Sequence, residues 1–463
     1  MAKHVVIFVG ISLLAGVPCS AATITVDPNG SADYTTIQAA IDAANPNDTV
    51  LVADGIYTGA SNRDIDFLGK AITVKSANGP ENCSIDPNGK ADDPHRAFYF
   101  HNYEDANSVL DGFTLTNGFA SGEYDKGGAV LCEFSSPTIM NCIITDNESA
   151  GDGGGIGCNH VCGPMIVNCT IVGNRTDQRG GGIAYLDGSS GEIVNCRIMD
   201  NNASLYGGGV SFAFYCGGTK ISNCVIADNS AGVHGGGLYY WVSIGRISNC
   251  TITGNNAHAG QGGGIHFKYG IDYAKVHIGN SILWGNTALT TGLGPEISVD
   301  GTWELGPITV EVSYSNVQGG QEMVYREGDY ATLIWAVGNI DADPIFVDPD
   351  NDDYHLKSQV GRWDPNTESW VIDPDHSPGI DAGDPCSVYS AELWSRGHRV
   401  NMGAYGNTPE ASRSCTNIDD LRLMGGDWLQ ADSVADIIPY PDGDGIVDLR
   451  DYAFLALHWL CQE

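Results

Sequence analysis

Asp152 stands 27 residues before Arg179, and His266 lies two positions before Lys268. Each pair combines a base with a cation, the two groups needed to take a proton beside a carboxylate and hold the enolate that forms. Neighbouring opposite charges on stacked turns are also what a plain ion-pair ladder gives, so Lys126, Asp152 and Arg179 read equally as a surface ladder worth little energy. Tyr239, Trp241 and Tyr269 supply aromatic faces of the kind that stack on sugar rings, or that pack beneath a loop. A third group is acidic. Asp442, Asp444, Ile446, Asp448 and Asp451 follow one another at the alternate positions a calcium loop uses, with Gly445 for the sharp turn.

These residues need elements to position them, and a repeat provides the frame. Glycine triplets begin at Gly153, Gly180, Gly207, Gly235 and Gly262. Locked to them run Asn141-Cys142, Asn168-Cys169, Asn195-Cys196, Asn223-Cys224 and Asn249-Cys250, each followed six residues after its Asn by Asn147, Asn174, Asn201, Asn229 or Asn255. A unit of about 27 residues with short β-branched bursts cannot bury its own apolar face, so each must stack on its neighbours. The expected fold is all-β, a right-handed single-stranded parallel β-helix solenoid of roughly a dozen coils at the ~4.8 Å strand spacing.

Parity along a coil puts Ile166 and Asn168 inward, then Cys169 and Ile171 after a one-residue break where the chain bends. The cysteine file is then core packing, its parallel Cβ vectors ill suited to disulfides. Cys158 and Cys162, with His160 between them, read as an outward excursion and the better disulfide or thiol site. Tyr34–Ala44 reads as an amphipathic helix started by Thr35 or Thr36, placed to plug the first coil.

The ends carry other signals. Lys3, the apolar run Val5–Val17 and the small residues up to Ala22 form an export signal over residues 1–22. The coils and their N-terminal cap occupy 23–350, a closing segment 351–410 and a small helical module 411–463. The acidic stretch Asp341–Asp353 marks the end of the coils and the start of the cap. In the last module Asp420, Leu421, Trp428 and Leu429 recur 31 residues later as Asp451, Tyr452, Trp459 and Leu460.

A formal charge of -35, from 57 acidic and 22 basic residues, disfavours nucleic acid, which binds through Lys and Arg. The expected setting is secreted or cell-surface. The chain reads as a monomer and not as an integral membrane protein, with polysaccharide or a cell-surface protein as partner.

The helix-strand opening, the Asn168-type ladder and the triple-glycine coils resemble the pectate-lyase-like right-handed β-helix superfamily, and the coil motif is similar to polymorphic outer-membrane repeats. Ser377–Asp384, with Asn401–Gly406, resembles the C-terminal segment of choice-of-anchor Q surface proteins. The duplicated acidic helix pattern resembles a dockerin. It departs from that family at Tyr440, where an aspartate is expected, and in the stretch before Asp420, which lacks acidic ligands. The resemblances imply an exported protein that binds or displays carbohydrate or partner proteins, with Ca2+ in the dockerin-like module. A polysaccharide lyase or glycoside hydrolase tethered through that module, or a structural spacer, are the alternatives. The outward columns lack the dense aspartates with an isolated Arg or Lys that a pectate lyase carries.

Overall fold

The computed structural model describes residues 21–414, apart from 123–124, 271–274, 290, 305, 394–396 and 398. The proposed export signal apart from residues 21–22, the dockerin-like module apart from residues 411–414, and its calcium candidates Asp442, Asp444, Ile446, Asp448 and Asp451 lie outside the described residues.

One coil shows how the sequence builds the whole. Thr138–Met140 enters the first sheet, Ile143–Thr145 the second, Glu148–Ser149 the third and Ile156–Asn159 the fourth. The next coil repeats the circuit in register, Ile139 beside Ile166 and Ile144 beside Ile171. Repetition yields parallel sheets of twelve, ten, seven and nine strands. The first runs from Thr23–Val26 to Ala331–Trp335. Because side chains alternate along each short strand, the middle residue of each first-sheet strand points inward, and Leu110, Ile139, Ile166, Ile193, Ile221 and Ile247 form a fully buried file.

Between the first and second sheets the chain bends at Asn141, Asn168, Asn195, Asn223 and Asn249, all left-handed with φ between 52° and 54°. This corrects the inward placement of Asn168. It is exposed and is itself the bend, while Cys169 behind it is buried. Asparagine fits because it tolerates this conformation better than other non-glycine residues.

The second asparagine of each repeat is the buried one. Asn174 donates from its backbone N and its Nδ2 to Oδ1 of Asn201, both at 3.0 Å, and its Nδ2 also reaches the carbonyl of Ile144 at 2.8 Å. The same bonds recur along Asn147, Asn174, Asn201, Asn229, Asn255 and Asn286. The last donates to Glu296, whose carboxyl ends the file. Burial raises the Glu296 pKa to about 8, although the amide donors oppose the shift.

The glycine triplets sit where coils pass too closely for a side chain. Gly180 is left-handed, and a Cβ on Gly181 would lie 2.3 Å from the carbonyl oxygen of Gly208.

The cysteine file is buried as expected. Cys158 and Cys162 are not an outward excursion. Both thiols are buried, and only the turn between them, His160-Val161, is exposed. Among the described residues every cysteine is a free thiol.

The helix spans Ile37–Ala43, follows Thr36 without a side-chain cap, and buries Ile37, Ala40 and Ile41 in the core of the coils. Among the described residues no helix is long and apolar enough to cross a membrane.

Past Asp341 the chain takes a course other than a closing cap. Described parts of the segment from residue 346 onward lie along the outer flank of the second sheet. Tyr354 and Ala404 cover Met199, Val225 and Ala227, while Leu356, Ile380 and Met402 cover Ile282. The polar seam includes Tyr354 Oη donating to Asp228 at 2.9 Å and Asn223 Nδ2 donating to the carbonyl of Gly406 at 2.7 Å.

Candidate functional site

Where the fourth sheet turns into the first, the backbone does something uncommon. Phe134, His160, Val161, Asp187, Phe214, Tyr215, Val242 and Tyr269 all have φ between 48° and 67°, and Tyr103 continues the row at 61°. For bulky or β-branched residues such values are genuine outliers that cost on the order of 1–3 kcal/mol each. The effect of the bend is to aim side chains away from the coil stack.

What it aims is largely aromatic. Tyr103 is 80% exposed, Phe134 52% and Tyr215 63%. Tyr103 meets Phe134 with ring centres 6.3 Å apart, and Phe134 stacks on His160 at 4.9 Å. Farther along, Phe214 packs on Trp241 at 4.6 Å and Tyr269 meets Trp303 edge-on at 5.5 Å. Phe214, Tyr215, Trp241, Val242, Tyr269 and Trp303 line an open groove of about 380 Å3.

Charged groups support this ledge from beside it. Arg179 Nε donates to Asp152 at 2.8 Å, with Nη2 reaching the second oxygen at 3.3 Å, and both side chains are largely buried. The guanidinium lies 4.7 Å from the Phe214 ring centre and 5.8 Å from that of Trp241. The three-membered ladder is corrected at its first member, because Lys126 pairs with its neighbour Asp125 and not with Asp152. Lys268 faces Asp300 at 3.7 Å and sits 5.4 Å from the Tyr269 ring.

His266 is only 1% exposed. It stacks on both His234 and Tyr239 of the preceding coil and pairs through Nδ1 with Ser298 Oγ at 2.6 Å. Burial, with His234 and Lys268 adding repulsion, pushes its pKa well below the usual histidine value. A neutral imidazole enclosed in this way is not placed to take a proton from a surface ligand. Tyr239 is buried too, stacked on Tyr206 at 4.8 Å, and contributes support instead of a ligand face.

The sequence-predicted residues therefore divide. Trp241 and Tyr269 come together in the groove, Arg179 and Lys268 flank it, and Asp152 is bound to Arg179. Phe214, Tyr215, Trp303, Phe134 and Tyr103 were missed. Part of their signal was one step away, since Phe134 and Phe214 directly follow Glu133 and Ala213 as the predicted Tyr269 follows Lys268, in the same phase of the repeat.

A second cavity, of about 420 Å3, opens between the flanking segment and the bends at Asn168, Asn195 and Asn223. His355 on its wall is 3% exposed, stacks on Tyr405 at 3.7 Å, and is held through Nδ1 by Asp353 at 2.6 Å. Burial lowers its pKa, but Asp353 and Glu410 outweigh that and leave it raised.

A family model described as "Right handed beta helix region" matches residues 176–302, and one described as "Disaggregatase related" matches residues 321–383. No curated protein sequence matches the chain. Among solved structures, a pectate lyase, Pel9A, is 15% identical with a TM-score of 0.43, covering 84% of this chain and 97% of its own. A pectin methylesterase from carrot is 13% identical with a TM-score of 0.36, covering 68% of this chain and 88% of its own. With the four parallel sheets, the matched region identifies the fold as a right-handed parallel β-helix.

Proposed function

We propose that this is an exported carbohydrate-binding protein that lays an extended glycan along the aromatic ledge between its fourth and first sheets. One observation carries the reading: successive coils hold bulky residues in a strained left-handed bend and so keep aromatic faces in water. Packing beneath a loop would bury these rings, but Tyr215 and Trp303 remain accessible on the groove. Sugar rings present C–H faces to such surfaces, and their hydroxyls remain hydrated or hydrogen-bonded nearby.

Binding is favoured over lyase or hydrolase chemistry because the base and cation candidates are engaged with one another. Asp152 is bound to Arg179, Lys268 faces Asp300, and His266 is enclosed. In this reading the first 22 residues direct export, the helix Ile37–Ala43 plugs the first coil, and the dockerin-like module binds Ca2+ and a cell-surface partner.

A glycan array probed with the mature protein tests the central claim. Retention of a defined set of glycans is expected, with Trp241→Ala weakening the best of them about tenfold, equivalent to ~1.4 kcal/mol. Retention of no glycan, or equal binding by the variant, would overturn it. Absorbance near 235 nm during incubation with uronate glycans detects the unsaturated products of a lyase, and none is expected.

A further inference from the structure

The row of left-handed residues that builds the ledge is interrupted once by a charge. Phe134 and His160 end one aromatic platform, and Phe214 begins the other. The coil between them places Asp187 at the same point of the repeat, with φ 49° against 59° for His160 and 65° for Phe214. The backbone ties it into the row on both sides. Val161 N donates to the Asp187 carbonyl at 3.1 Å, and the following Gly188 N donates to the Phe214 carbonyl at 2.8 Å. The carboxylate is therefore aimed as the rings are, and a chain in contact with both platforms must cross it.

Asp187 is exposed, and among the described residues no side chain pairs with it. The charges that flank the ledge are engaged instead. Arg179 is held by Asp152 at 2.8 Å, Lys268 faces Asp300 at 3.7 Å, and His160 faces Glu133 at 3.6 Å. Among the described residues the aromatic groove is lined by no acid and no cation. A ligand crossing the gap thus meets one free carboxylate and no free cation, within the field of a molecule whose formal charge is -35.

We propose that Asp187 makes the ledge selective for uncharged glycans, a step that rests on the ledge being the glycan site. The carboxylate accepts from two neighbouring hydroxyls of the sugar that spans the gap, bonds strengthened by its charge. A uronate in the same place sets two anions side by side with no cation to hold them, so an acidic chain is rejected by repulsion. Aspartate also suits a left-handed bend for its backbone alone, but asparagine suits it equally. One substitution therefore separates the charge from the bend.

Isothermal titration of the full chain with hexasaccharides tests this, with cellohexaose, mannohexaose and xylohexaose as neutral probes, hexagalacturonate as the acidic one and hexaglucosamine as the cationic one. The parent is expected to bind at least one neutral probe, through a contact that Trp241→Ala weakens, and to bind hexagalacturonate about tenfold more weakly or not at all. Asp187→Asn should weaken the neutral probe about threefold and strengthen hexagalacturonate about threefold. Asp350→Asn removes the same charge from an exposed site on the flanking segment and should change neither. If no probe binds, or if Trp241→Ala leaves all binding unchanged, the ledge itself fails and this proposal with it. With the ledge intact, the proposal alone is overturned if Asp187→Asn fails to weaken the neutral probe or to strengthen hexagalacturonate, or if Asp350→Asn acts as Asp187→Asn does. It is overturned too if hexagalacturonate or hexaglucosamine binds the parent more tightly than every neutral probe through a contact that Trp241→Ala removes.

Discussion

Asp152 and Arg179 show how one pair of side chains can resemble catalysis and do something else. Removing Asp152 strands a largely buried guanidinium, so Asp152→Ala is expected to lower stability by about 2–3 kcal/mol in urea unfolding. Because Arg179 also underlies Phe214 and Trp241, the same variant should weaken glycan retention several-fold without changing which glycans are retained. Cysteine behaves differently from what its abundance suggests. Ten of the described thiols are buried, and burial lifts Cys83 and Cys216 to about 12. Brief alkylation of the native protein at pH 7.5, followed by peptide mass mapping, should label Cys386 and leave those ten unmodified until denaturant is added.

The asparagine file decides how the coils hold together. Its end at Glu296 gives a pH signature whose sign follows from linkage. The folded-state pKa, about 8, exceeds the unfolded value near 4.5. The folded state therefore binds the proton more tightly, and this stabilisation is complete below about pH 4.5 and lost as pH rises through 8. His355, also raised, acts with the same sign. The readout is thus a difference: between pH 5 and 8 the urea midpoint of the parent should fall more than that of Glu296→Gln.

This element was half legible in the sequence. The spacing of Asn168-Cys169 to Asn174 announces a coil, but both asparagines have the same composition and phase, and parity alone assigned the first one inward. Position relative to the bend decides, and the bend's exact residue is a backbone property that alternation cannot fix. The left-handed aromatic residues of the ledge other than Tyr269 escaped for a similar reason. Nothing in Phe214-Tyr215 announces a left-handed backbone, since these residues ordinarily avoid it.

At the scale of the whole molecule, the coil stack does not stand bare. Residues 346–414 cover apolar side chains that the second sheet turns outward, among them Met199, Val225, Ala227 and Ile282. Alternation predicts polar residues on such a face, so its apolar positions, read together, could have signalled a covering element; which segment covers them depends on contacts between segments far apart in the chain. A chain ending at residue 340 should keep its β-sheet circular dichroism, bind a hydrophobic dye strongly, and self-associate in analytical ultracentrifugation where the full chain does not.

The asparagine file also runs one way. Each member donates forward to the next coil and accepts from the one before, from Gly118 N, which donates to Asn147, to the carboxyl of Glu296. A coil copied into the interior would find a donor behind it and an acceptor ahead, so duplication of whole repeats between Asn147 and Asn286 extends the row at little cost. A copy added past Glu296 would inherit a terminus with no asparagine to receive it. The length of this protein is therefore free to drift in its middle and anchored at its far end, which is where lineages that lengthen or shorten it should all keep a carboxyl.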